Sequence, residues 1–208
     1  MSVRSFLFHV SPAKKFKGGI SPLVITIVSG LPRSGTSLMM QMLNAGGMSM
    51  LTDYERKADV DNPKGYCEWE PAKLLPKEPH RIAEAEGKVV KVISQLLLSI
   101  PGQHKYKVIF MERPLPEVLA SQDEMLKRRG KTDSVSHVVL AKAFTNHLRE
   151  MSDALQKRPE IEVLRIGYRR LLAEPKQNAE SIKEFLGLDL DTDAMAAQVD
   201  PTLYRNRK

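Results

Sequence analysis

Cysteine is nearly absent from this 208-residue chain, in which Cys67 is the single example. One thiol cannot form an intrachain disulfide or, by itself, a thiolate zinc cage, so neither is expected to stabilise the fold. Long apolar runs are lacking too, because the segment Leu23 to Val28 is far shorter than the roughly 20 residues of a membrane-spanning helix. No small-residue cleavage pattern follows the N-terminal apolar residues, so a cytoplasmic protein with no membrane span is predicted.

Acidic residues are absent from both ends of the chain, and this absence accounts for its net charge of +7, from 32 Lys and Arg against 25 Asp and Glu. The surplus cations lie in residues 1–20 and 205–208: Arg4, Lys14, Lys15, Lys17, Arg205, Arg207 and Lys208. Between these two segments the charges balance, so the sequence shows no basic face for a duplex, and nucleic acid is not expected as a partner. Residues 1–20 are predicted to form a basic tail and residues 21–208 a single domain.

Repeats and low-complexity tracts are also missing, and hydrophobic strands instead alternate with amphipathic helical segments. Strands are predicted at residues 23–28, 89–93, 107–111 and 161–166, and helices at 36–45, 115–129, 140–155 and 177–186. Residues 52–70 are polar and rich in turn formers, which predicts a surface position, and residues 168–172 are predicted to form a short turn. The alternation predicts an α/β chain with a three-layer fold, in which helices flank a mostly parallel central sheet.

A glycine-bearing loop connects the first predicted strand to the first predicted helix. Gly30 and Gly35 stand five positions apart, as the glycines of a phosphate-binding loop do. In such a loop, backbone amides and the helix dipole favour an anion, and Thr36 and Ser37 add hydroxyl donors. A P-loop that cleaves ATP has Lys after the second glycine, whereas here that place holds Thr36 and the loop's cation is Arg33. The anion is therefore not expected to be a β/γ-phosphate pair.

A P-loop kinase or NTPase is the alternative function that the residues themselves suggest. The apolar residues Val108 to Met111 are followed by Glu112, which is typical of a strand end that supports a metal ion. The missing loop lysine argues against this alternative.

The loop segment Leu31 to Leu38, with the sequence LPRSGTSL, resembles the 5′-phosphosulfate loop of sulfotransferases that use 3′-phosphoadenosine 5′-phosphosulfate (PAPS). A second signature of that family, a strand ending in Arg with a Ser eight residues later, is matched by Arg113 and Ser121. A looser likeness runs through residues 168–175 and 182–188. The resemblance implies a P-loop sulfotransferase fold and transfer of a sulfuryl group from PAPS to a hydroxyl or amine acceptor, which leaves PAP as product and requires no metal. A protein that binds adenosine 3′,5′-bisphosphate without catalysis is a further alternative.

The resemblance also implies roles for particular residues. Five loop residues would hold the sulfonate and 5′-phosphate, and the cation among them would stabilise the leaving phosphate: Arg33, Ser34, Gly35, Thr36 and Ser37. Arg113 and Ser121 would hold the 3′-phosphate, and Tyr168 would border the adenine. Arg205 and Arg207 would close over the 3′-phosphate, or else be solvated tail charges. For Arg113 the alternative is a surface ion pair with Glu112 or Glu117.

The acceptor, a small molecule or another hydroxyl-bearing partner, needs a base to remove its proton. Cytosolic members of the family carry a His just after the strand that corresponds to residues 89–93, and this chain has none there. Other branches use a Glu in the loop after the first helix, which makes Glu68 the first candidate here. Asp53 and Glu55 are the next candidates, followed by His80. Residues 48–80 and 129–137 are expected to build the acceptor pocket.

Overall fold

A parallel five-stranded sheet lies at the centre of the residues that the structure describes. The structure is a computed structural model, and it describes residues 24–53, 55–59, 62–128, 130, 135–200 and 202. The predicted basic tail and the candidates Arg205 and Arg207 lie outside these residues. No helix within these ranges is long and apolar enough to cross a membrane.

The strands are short and mostly buried. In chain order they are β1 (Ile25–Gly30), β2 (Met50–Leu51), β3 (Val89–Lys91), β4 (Tyr106–Glu112) and β5 (Ile161–Gly167), and across the sheet their order is β2-β3-β1-β4-β5. All six residues of β1 are buried, as expected for a central parallel strand that is covered on both faces. The α/β fold with a parallel central sheet is therefore confirmed.

Helices cover both faces of the sheet. They are α1 (Thr36–Ala45), α2 (Ser94–Leu97), α3 (Leu115–Arg128), α4 (His137–Leu155), α5 (Tyr168–Ala173), α6 (Pro175–Leu186) and α7 (Thr192–Ala196), with 3₁₀ helices at Glu70–Leu74 and Pro79–Ala85. On one face, Ile25 and Ile27 pack with residues of α2, α4 and the two 3₁₀ helices. On the other face, Val28 packs with residues of α1, α5, α6 and α7. Side chains that alternate along β1 therefore contribute to two separate hydrophobic cores, one on each face of the sheet.

One local prediction is wrong, and a second misses two buried residues. Residues 168–172, predicted as a turn, belong to helix α5, in which Tyr168 and Leu171 are both buried and stand one helical turn apart. Most described residues of the segment 52–70 are partly or fully exposed, as predicted, but Tyr66 and Trp69 are buried and each is 5% exposed. In both places tertiary burial of aromatic and aliphatic side chains outweighs the polar local composition.

The parallel arrangement brings distant parts of the chain to one edge of the sheet. Strand β1 ends at Gly30, β3 ends at Lys91, β4 is followed by Arg113, and β5 is followed by Tyr168. These four strands are neighbours in the order β3-β1-β4-β5. Because the carboxyl ends of parallel strands share an edge, ligands in open α/β sheets bind in the crevice there.

Candidate functional site

A cavity of about 480 Å³ opens at this edge of the sheet. Most of the residues predicted to hold the donor line it, together with Lys91 and residues from the loop after α1: Arg33, Gly35, Thr36, Ser37, Arg113, Ser121, Tyr168, Arg56, Tyr66, Glu68, Trp69 and Lys73. The two sets of residues predicted to bind separate anionic groups therefore face one cavity.

The loop between β1 and α1 has the backbone shape of an anion-binding turn. Gly35 adopts φ +101° immediately before the first residue of α1, and Arg33 adopts φ +68°. In the described residues, no side chain caps the N-terminus of α1, and its first turn contains no acidic residue. The positive end of the helix dipole thus points toward the cavity, and no acidic side chain of the first turn offsets it.

Two features favour glycine at position 35: its positive φ and its close contact with Tyr168. A Cβ atom at position 35 would lie 2.5 Å from Cδ2 of the Tyr168 ring. Tyr168 is 8% exposed and borders the cavity, so its ring supports the loop from the end of β5.

Hydrogen bonds join the loop to the residues that follow β4. Arg33 donates from Nε to Oγ of Ser121 at 3.0 Å. Arg113 donates from Nη1 to the backbone oxygen of Arg33, also at 3.0 Å. The pair Arg113 and Ser121, eight residues apart in the chain, is therefore linked directly to the loop between β1 and α1.

Arg113 also has an acidic partner, as the alternative hypothesis expected. Its Nε lies 3.0 Å from Oε2 of Glu117, but the pair is buried and not at the surface, since Glu117 is fully buried. Glu112, the other suggested partner, instead pairs with Arg165 at 2.8 Å. Arg113 thus has a structural ion pair and a place in the cavity lining at the same time.

Lys91 also lines the cavity, although it is not among the residues predicted from the sequence. It is the last residue of β3, it is 7% exposed, and it donates to the backbone oxygen of Tyr66. Its Nζ lies 3.4 Å from Oγ of Ser37 and 3.7 Å from Oε1 of Glu68. Burial lowers the pKa of Lys91, and the nearby Glu68 carboxylate partly opposes this shift. A lysine within an otherwise apolar buried strand was the signal that could have identified it.

The candidates for the general base differ in whether they line the cavity. Glu68 lines the cavity and forms an ion pair with Arg56 at 2.8 Å. Asp53 and Glu55 do not line it, and the carboxylate of Asp53 accepts from the backbone amides of Glu55 and Glu70. Asp53 thus holds the loop to the start of a 3₁₀ helix. His80 is exposed and also lies away from the cavity.

Ser34 is the one loop candidate that the structure does not bring to the cavity. Its hydroxyl is buried beneath the loop against Gly30, and it has no hydrogen-bond partner among the described residues. Its backbone amide donates to the oxygen of Leu31 at 3.2 Å. The predicted contact of Ser34 with the donor remains a prediction.

The expected acceptor region supplies one wall of the cavity. The Arg56 guanidinium lies 3.3 Å above the Tyr66 ring, and the Tyr66 hydroxyl bonds to the Asp59 carboxylate at 2.8 Å. Burial, together with the bond to Asp59, raises the pKa of Tyr66. Trp69 packs in the core and also lines the cavity. Most of the segment 129–137 lies outside the described residues.

The family model of the sulfotransferase domain matches residues 25–208. The chain belongs to this family. Structures with the same fold are a sulfotransferase domain from the curacin biosynthetic pathway (15% identity, TM-score 0.51, 89% of this chain and 90% of that one) and the sulfotransferase STF1 from Mycobacterium tuberculosis H37Rv (15% identity, TM-score 0.55, 86% and 71%). A third is the sulfotransferase domain of the olefin synthase from Synechococcus PCC 7002 (15% identity, TM-score 0.50, 92% and 83%).

A comparison of the sequence with curated proteins found no match. At 15% identity, the structural similarities show the fold alone.

The contact between the loop and Tyr168 can be tested with two alanine variants. Gly35→Ala and Gly47→Ala place a Cβ on residues with the same φ of +101°, but nothing lies within 4 Å of the Cβ at position 47. Both variants incur the cost of a left-handed backbone, of order 1–3 kcal/mol. Gly35→Ala should lose at least about 1 kcal/mol more, which is about 2–4 °C in Tm for a chain of this size. Equal losses of Tm in calorimetry would show that the Tyr168 ring does not constrain the loop.

Proposed function

We propose that this member of the sulfotransferase domain family transfers a sulfuryl group from PAPS to a hydroxyl group, or an amine, of a small-molecule acceptor, with PAP as product. The observation that supports this most strongly is the linked placement of Arg33, Arg113 and Ser121 in one cavity. A nucleotide with anionic groups at both its 5′ and 3′ positions matches two such sets of donors.

The residues present fit the donor in charge and in hydrogen-bonding chemistry. The amides at the start of α1 and the hydroxyls of Thr36 and Ser37 are suited to the 5′-phosphosulfate. Arg113 and Ser121 are suited to the 3′-phosphate, because a guanidinium and a hydroxyl both donate to phosphate oxygens. Tyr168 offers an aromatic face at the cavity edge for the adenine. When bound, PAPS supplies the sulfuryl group.

Two cations are placed to stabilise the negative charge that develops on the leaving phosphate. Arg33 lies in the loop itself, and Lys91 lies at the end of β3 beside Ser37. Fixed cations at a partly buried site stabilise such charge without the reorganisation that water would need. The chain is therefore proposed to work without a metal ion, as the resemblance implied.

Glu68 is the proposed general base. It lies on the cavity wall next to Tyr66 and Trp69, and its ion pair with Arg56 together with the nearby Lys91 fixes its position. The acceptor hydroxyl would give its proton to this carboxylate as the sulfuryl group is transferred. The kinase alternative is less favoured, since Glu112 does not line the cavity and pairs with Arg165.

Donor selectivity can be measured by thermal shift with PAP, ADP and adenosine 2′,5′-bisphosphate. A ligand at about 100 times its Kd stabilises the folded state by about 2.7 kcal/mol, so a selective site gives a selective rise in Tm. PAP should stabilise the protein more than the other two nucleotides, and Arg113→Ala should abolish this difference. The same stabilisation by all three nucleotides would contradict the proposed function.

The base can be tested by comparing Glu68→Gln with Glu70→Gln. Glu70 is two residues away, does not line the cavity and pairs with Lys73. With PAPS and an accepted alcohol or phenol, in the presence of EDTA, Glu68→Gln should lower kcat by roughly 10²–10⁴-fold, the usual contribution of a general base. Glu70→Gln should retain kcat. If turnover is unchanged in Glu68→Gln, the base assignment is wrong; if turnover stops in EDTA, the metal-free reaction is wrong.

The lowered pKa of Lys91 predicts how donor binding depends on pH. The free protein holds Lys91 charged below this pKa and neutral above it, so PAP affinity should fall as the pH rises. The fall should begin below the pH of about 10.4 at which an ordinary lysine titrates. Lys91→Met should bind PAP more weakly at neutral pH, with no fall over this range, whereas Lys88→Met should behave like the wild type. Parallel titration curves for wild type and Lys91→Met would contradict this role.

A further inference from the structure

Glu117 is a fully buried carboxylate in the first turn of α3, four residues after Arg113. A buried carboxylate is costly unless cations and hydrogen bonds compensate for its lost hydration. Both oxygens of Glu117 have such partners: Oε2 accepts from Nε of Arg113 at 3.0 Å, and Oε1 accepts from Nε of Arg169 at 2.5 Å. Glu117 thus connects an arginine after β4 with an arginine after β5.

The orientation of Arg113 depends on this carboxylate. The guanidinium is held at Nε by Glu117, at Nη1 by the backbone oxygen of Arg33, and on one face by the Tyr168 ring, whose centroid is 4.6 Å away. Its side chain is only 7% exposed. Because phosphate recognition by a planar guanidinium depends on the direction of its N–H groups, fixing the plane of Arg113 fixes where a phosphate can bind.

A carboxylate next to a phosphate-binding arginine also carries a disadvantage, since its negative charge opposes the phosphate. Arg169 offsets that charge. It does not line the cavity, and its side chain is 54% exposed, so its guanidinium acts from the solvent side of Glu117. Arg113, Glu117 and Arg169 together carry a formal charge of +1, whereas Arg113 and Glu117 alone carry no net charge.

We propose, on the basis of the function proposed above, that Glu117 and Arg169 are positioning residues for Arg113 and thereby determine the preference for a nucleotide that carries a 3′-phosphate. Glu117 sets the direction of the Arg113 guanidinium. Arg169 keeps the local charge positive. Neither residue lines the cavity, so both act through Arg113.

The readout is the ratio of the Kd values for ADP and PAP, measured by titration calorimetry on the full chain. ADP lacks a 3′-phosphate and reports on the loop side of the cavity, so a merely structural defect would weaken both ligands together. Glu117→Gln should lower the PAP preference by about tenfold or more, the usual effect of losing a charged hydrogen-bonding partner, with ADP affinity nearly unchanged. Arg169→Ala should also lower the preference for PAP.

The chain offers matched controls at the neighbouring ion pair. Glu112 and Arg165 are also joined by a contact of 2.8 Å between the ends of β4 and β5, with side chains 48% and 34% exposed. Glu112→Gln and Arg165→Ala should retain the PAP preference of the wild type. The double variant with Glu117→Gln and Arg169→Ala should lose little more of the PAP preference than Glu117→Gln alone. The effects of residues that act through one group are not additive.

The outcomes separate the two proposals. If the wild type shows no preference for PAP over ADP, the proposed function fails, and the positioning role fails with it. If the wild type prefers PAP and both Glu117→Gln and Arg169→Ala retain that preference, only the positioning role is overturned. Should Glu117→Gln fail to fold, the largely exposed Arg169 decides alone: a retained preference in Arg169→Ala overturns the role, and a lost one supports it.

Discussion

The hydrogen bond from Arg113 to the backbone oxygen of Arg33 is the contact on which the candidate site depends. It ties the residue after β4 to the loop after β1, and Arg33 reaches back from that loop to Ser121 on α3. These two contacts hold the N-terminus of α1 and the pair Arg113 and Ser121 at a fixed separation. In the proposed function, a cavity with two such groups of donors would respond to the spacing of two anionic groups within one ligand, which neither group alone could do.

The sheet makes this contact possible. In the parallel register Gly30, the last residue of β1, pairs with Met111 of β4. Arg113 follows Met111 by only two residues, which places it next to the loop that begins after Gly30. On the other side, β3 pairs with β1 and places Lys91 opposite Val28, close to the loop. Tyr168 begins α5 directly after β5 and supports both Gly35 and Arg113. Each side chain therefore reaches the site because its strand ends at the same edge.

The local parts of this arrangement were predictable from the sequence. The β-branched run, the two glycines and the amphipathic helix are encoded in adjacent residues, and the α/β fold that they predicted is confirmed. Contacts between distant segments were harder to predict. Nothing in the local sequence shows that Lys91 faces Glu68, that Glu117 is buried between two arginines, or that Asp53 holds a 3₁₀ helix, since each depends on how loops pack. The helix at Tyr168 and the inward hydroxyl of Ser34 were missed for the same reason.

A crystal structure of the protein with PAP tests the central claim most directly. The account predicts the 5′-phosphate at the amides of residues 35–37 and the 3′-phosphate within hydrogen-bond distance of both Arg113 and Ser121. A nucleotide bound with its 3′-phosphate directed away from Arg113, or bound outside the cavity beside Gly35, would contradict it.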